Sequence, residues 1–174
     1  NPNHKTPVFK LQGTIQNLLK MGDNTRMKLI SKELVVPEAD IRKDMELEKD
    51  QKVFRFEGVR YNDSGHSLLF QVFVPEKYGA RISLEEDFNP PYLLPRVELE
   101  AGQPAQRVYQ VIRTIAADPK VSLLIHVNPG HTLILTKRIW YTQDDNILHL
   151  SLNYIPSETF YLESDLVRSD TARN

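Results

Sequence analysis

The chain contains no cysteine. Disulfides, thiolate-held metals, iron–sulfur clusters and thiol nucleophiles are excluded with it. Its seven glycines form no G-x-G-x-x-G or Walker-type loop, so the usual backbone cradle for a nucleotide phosphate is missing. No serine sits in a G-x-S-x-G elbow. The five histidines, His4, His66, His126, His131 and His149, show no H-x-H or H-x-x-x-H spacing. No apolar run approaches ~18 residues, which excludes a transmembrane helix. Charge of neither sign dominates, with 22 Lys plus Arg against 23 Asp plus Glu. That leaves no bulk positive surface with which to grip nucleic acid. No metal and no cofactor are expected from these patterns, and a reducing cytoplasm suits the chain.

What is present is an ordinary globular composition. Of 174 residues, 40% are hydrophobic and 26% charged, enough for one core and one domain. The start, Asn1-Pro2-Asn3-His4-Lys5, has no Met and no signal-peptide core, and reads as a fragment of a longer protein. Residues 1–24 read as a leader, with a short helix over 11–20 carried by Leu11, Ile15, Leu18 and Leu19. A strand is predicted from Thr25 to Val36, stopped by Pro37, then a short acidic-started helix from Glu38 to Leu47. Val53–Tyr61 and Ser67–Val74 flank Asn62-Asp63-Ser64-Gly65, a hairpin. After a helical turn near 77–82 and a proline-rich stretch over 87–95, Arg96–Glu100 reads as helix and Gln106–Ala116 as strand. Asp118 is placed to cap a helix with Pro119 at its first position. His131–Tyr141 and Ile147–Ile155 form a second hairpin, and Phe160–Val167 a last strand before a polar tail over 169–174. No internal repeat is visible. Two hairpins with intervening helices give α+β with a mainly antiparallel sheet.

Side chains alternate between the two faces of a strand, and two strands carry chemistry. Phe54, Phe56, Gly58 and Arg60 share a face, so a side chain is missing beside a cationic fork suited to an anion. The plainer reading of Arg60 is a surface arginine beside a carboxylate. On the last hairpin Leu148, Leu150, Leu152 and Tyr154 form an apolar side, expected to pack on helices. The other side carries Ile147, His149, Ser151, Asn153 and Ile155. Those polar residues suit a pocket lining and an ordinary exposed face about equally.

From about Met27 to Val167 the chain resembles the UTRA domain, the chorismate-lyase-like effector-sensing domain of GntR/HutC-type bacterial transcription regulators. Three stretches carry the resemblance. The first is Val53-Phe54-Arg55-Phe56-Glu57-Gly58-Val59-Arg60 with its turn and a strand ending at Pro75. The second is Ile112-Arg113-Thr114-Ile115-Ala116-Ala117-Asp118 with the helix and Pro129-Gly130. The third is the strand from Leu133 to Tyr141. The resemblance implies an effector-binding domain over 25–168, with helices packed on one face of the sheet and a pocket on the other. It implies a small anionic metabolite as ligand, a homodimer, and DNA contact only through an N-terminal winged-helix domain absent from this chain. Its R-x-R pair falls on Gly58 and Arg60, an acid of the next strand on Gln71, an aromatic on Tyr92, and an acid of the last hairpin on His149. Ser151 and Asn153 complete the expected effector set. Loss of one arginine and both acids points away from a sugar phosphate and toward a smaller carboxylate. The runner-up is a lyase, for which the last hairpin offers no carboxylate. A ligand-free dimerisation module is the third reading.

Overall fold

In the computed structural model, residues 8–10, 15, 24–65, 67–84 and 92–163 are described. Among these residues eight strands and four short α-helices follow in order. They are β1 (Val8–Lys10), β2 (Arg26–Val35), α1 (Ala39–Asp44), β3 (Val53–Tyr61), β4 (Ser67–Pro75), α2 (Glu76–Gly79) and α3 (Leu94–Ala101). Then come β5 (Arg107–Ala116), α4 (Pro119–Ile125), β6 (Thr132–Tyr141), β7 (Ile147–Pro156) and β8 (Tyr161–Glu163). The main sheet has six strands in the order β2-β3-β4-β7-β6-β5, every neighbouring pair antiparallel. Both hairpins and the capping role of Asp118, whose Oδ1 accepts from Val121 N at 2.8 Å, are as expected from the sequence.

Three features differ from the expectation, and two expected segments fall outside the described residues. Val8–Lys10, inside the presumed leader, pairs in parallel with β8. The helix expected over 11–20 lies outside the described residues apart from Ile15, which is helical, and so does the last strand beyond 163. Helices cover both faces of the sheet, not one. α1 and α4 pack through Ile41, Met45, Val121 and Ile125 on one face. On the other, Ile82, Leu93, Leu94 and Val97, from the α2–α3 region, pack against Phe56, Phe70, Val72 and Trp140. α2 and α3, the described helices between central β4 and edge strand β5, thus lie on the face opposite α1 and α4.

The third difference is a repeat that residue identity conceals. β2-α1-β3-β4 and β5-α4-β6-β7 are two copies of one unit, eighty positions apart. Ile41 and Val121 are buried at matching places, as are Met45 and Ile125, and Val53 and Leu133. Glu46 and His126 both take positive φ, 55° and 60°. Each helix then closes with the same bond, Leu47 N to Arg42 O at 2.9 Å and Val127 N to Ser122 O at 3.1 Å. That wrap-back bond satisfies carbonyls that a helix end otherwise leaves exposed. The two units join along β4 and β7, at the centre of the sheet.

Candidate functional site

Register decides which residues meet. On the face under α2 and α3, β3 presents Phe56, Gly58 and Arg60, and β4 presents Val72, Phe70 and Leu68 opposite them. β7 adds Ser151 beside Val72 and Asn153 beside Phe70. β6 adds Thr136, Arg138 and Trp140 opposite Asn153, Ser151 and His149, and β5 adds Gln110 beside Arg138. Gly58, Arg60, His149, Ser151 and Asn153 therefore share one face, as their parity predicted. Tyr92 joins them from the segment before α3: the Arg60 guanidinium carbon lies 4.9 Å from its ring centroid, a cation–π contact.

Gln71 does not join them. It pairs with Glu57 in register and so projects to the α1/α4 face. There its Nε2 donates to Glu57 Oε2 at 2.7 Å, and the Tyr154 hydroxyl donates to its Oε1 at 3.4 Å. It lines a cleft of about 750 Å³ with Phe73, Leu135 and Leu152. The β4 residue that shares a face with Gly58 and Asn153 is Phe70.

The expected apolar side of β7 is also interrupted. The register of β6 and β7 slips between Trp140 and Tyr141, which pair with His149 and Ile147. Leu148 is the extra residue of this bulge. It packs into the α2/α3 core, while Leu150 and Leu152 pack under α1 and Ile147 lies against that same cluster.

Arg138 is a candidate on this face that the sequence pattern does not single out. Its Nε donates to Gln110 Oε1 at 2.6 Å. Burial, with a contribution from the nearby charge of Arg60, pulls its pKa down to about 10. Arg60 is likewise held down to about 10 by burial, with Tyr92 acting in the opposite direction. The charge of Arg60 thus acts on Arg138 across the two strands that carry Phe70, Ser151 and Asn153. The charged side chains that the strands place on this face are Lys32, Arg60 and Arg138, all cationic. His149 is neutral here, its pKa lowered to about 3 by burial. Asn153 Nδ2 donates to Thr136 Oγ1 at 3.2 Å, fixing the amide.

The arrangement suits an anion held by paired forks in a desolvated site. It offers no metal site: among the described residues no three His, Cys, Asp or Glu side chains cluster closely enough to hold an ion. No helix among them is long and apolar enough to cross a membrane.

Residues 20–161 match the model of the UTRA domain, and the chain belongs to that family of regulatory, ligand-binding domains. Solved structures with the same fold include the ligand-binding domain of a putative GntR-family transcriptional regulator from Bordetella bronchiseptica. It has a TM-score of 0.73 and 19% identity, over 84% of this chain and 91% of that one. The effector domain of PhnF from Mycobacterium smegmatis has a TM-score of 0.73 and 15% identity, over 87% and 94%. PhnF from the same organism also matches, with a TM-score of 0.74 and 15% identity, over 94% of this chain and 73% of that one. No curated protein matches the chain in sequence.

Proposed function

We propose that this chain is the effector-sensing domain of a cytoplasmic GntR/HutC-type transcription regulator. It binds a small anionic metabolite between Arg60 and Arg138, with Tyr92, Ser151, Asn153 and His149 around it. It works as a homodimer, and it has no catalytic role. The effector favours one dimer geometry over another, and that difference in affinity reaches DNA through a winged-helix domain outside this chain. The observation that carries the reading is a sheet face whose strand-borne charges are all cations, two of them partly buried, with the charge of Arg60 acting on Arg138.

The test is titration calorimetry of an anionic-metabolite library against the chain, with Arg60→Ala and Arg138→Ala alongside. A charge-assisted bond is worth roughly 1.5–3 kcal/mol, so each variant is expected to lose about ten- to hundred-fold in affinity. Anions that bind equally well to both variants would place the site elsewhere. Sedimentation of the unliganded chain as a monomer would remove the dimer from the reading.

A further inference from the structure

Gly58 and Phe70 face each other across β3 and β4. A Cβ built on Gly58 would lie 2.5 Å from Phe70 Cζ and 2.5 Å from the Lys28 carbonyl oxygen. The volume that a side chain at 58 would take is therefore held by an aromatic ring. Phe70 is also the register partner of Asn153, which puts the ring beside the amide in the middle of the face. Farther along β6 and β7, Trp140 and His149 stand with ring centroids 5.8 Å apart. Both are more than nine-tenths buried, at 4% and 3% exposure. Their Nε1 and Nδ1 atoms have no hydrogen-bond partner among the described residues.

A polyhydroxylated ligand brings many O–H donors into the site. Carboxylates are the strongest acceptors for them, and the strands place none on this face. Each hydroxyl buried without an acceptor weakens binding. An aromatic ring instead offers its face to a flat apolar body. Resting on the reading of this face as the effector site, we infer that the effector is an organic carboxylate with a flat apolar body, aryl or arylalkyl, and not a polyhydroxylated phosphate. The carboxylate lies between Arg60 and Arg138 and the body lies against Phe70. A single polar group at its far end meets Trp140 Nε1 and His149 Nδ1.

Thermal unfolding of the chain tests this with four probes: phenylacetate, 4-hydroxyphenylacetate, glucose 6-phosphate and, as an anion with no body, sulfate. At a hundred times the dissociation constant an aryl carboxylate is expected to raise Tm by about 5–10 °C. Glucose 6-phosphate should do no more than sulfate. Phe70→Leu keeps the site apolar but not flat. It should weaken phenylacetate about ten-fold and leave the sulfate response unchanged, whereas Arg138→Gln should remove both. Saturation-transfer NMR on the unaltered chain gives a reading independent of the variant's folding: magnetisation should pass to the phenylacetate ring most strongly from protein aromatic protons. Tighter binding of glucose 6-phosphate than of phenylacetate, or transfer only from aliphatic protons, overturns the inference while leaving an Arg138-dependent anion site in place. No response to any probe, or responses that survive Arg138→Gln, overturns the effector site itself and this inference with it.

Discussion

The two faces of the sheet use the same residue types to opposite ends. Under α1 and α4 three cations meet carboxylates. Arg55 Nη2 meets Glu33 at 2.5 Å, Lys137 meets Asp44, and Lys120 meets Glu57 at 2.9 Å. Burial alone would raise the Glu57 carboxyl. Bonds from Gln71 and Lys120, with the charges of Lys120 and Arg55, hold it below its usual range instead. Under α2 and α3 the strands place only cations. The pairs made by Asp44 and Lys120 fasten helix to sheet, whereas the cations that the strands place on the other face suit an anion. Two successive residues of β6, Lys137 and Arg138, stand on the two sides of this contrast.

Acid should open the widest gap between the faces. The native pKa of His149, about 3, lies below its unfolded value of about 6.5. The unfolded chain therefore binds the proton more readily. The stability involved is complete above pH 6.5 and is lost as pH falls toward 3. By pH 4.5 the loss is about 2.7 kcal/mol. Urea unfolding across pH should show this slope, and His149→Gln should remove it; an unchanged slope would mean that the imidazole is not buried neutral.

Packing should give the next largest effect. Gly58→Ala drives a methyl into the Lys28 carbonyl and the Phe70 ring, and overpacking of this kind costs about 2 kcal/mol. Calorimetric Tm should fall accordingly; an unaffected Tm would show that β2 and the ring move aside freely.

The sharpest comparison is the smallest in size. Arg138→Met removes a desolvated cation that the described residues do not balance, and should stabilise the ligand-free chain by about 1 kcal/mol. Lys137→Met strands Asp44 and should destabilise by under about 1 kcal/mol, since both partners are only three-quarters buried. Equal signs from the two variants would erase the distinction between the faces.

Much of this was legible in the sequence because strand alternation is a strong rule. Gly58 with Arg60, and His149 with Ser151 and Asn153, fell together on parity alone. The family pattern sets Gln71 with Arg60, but the hairpin register does not. Counting outward from the 62–66 turn pairs Glu57 with Gln71 and puts Phe70 opposite Gly58. Arg138 was hidden by a different cause. Without the bulge at Leu148 the second hairpin would set it beside Leu150, on the helix-packed side; the extra residue brings Ser151 opposite instead. The repeat escaped notice because its halves share burial and backbone conformation but little residue identity.

That duplication has a consequence for how the chain folds. The ion pairs run crosswise: Lys120 of α4 reaches β3 of the first unit, and Asp44 of α1 reaches β6 of the second. The seam between β4 and β7 joins residues such as Phe73 and Leu150, far apart along the chain. Neither unit completes its own stabilising contacts, so a single cooperative transition replaces two independent ones. The long loop that must close first makes folding slow for a domain of this size. Severed between β4 and β5, the chain would leave each fragment with a raw central strand, an edge open to pairing with any neighbour.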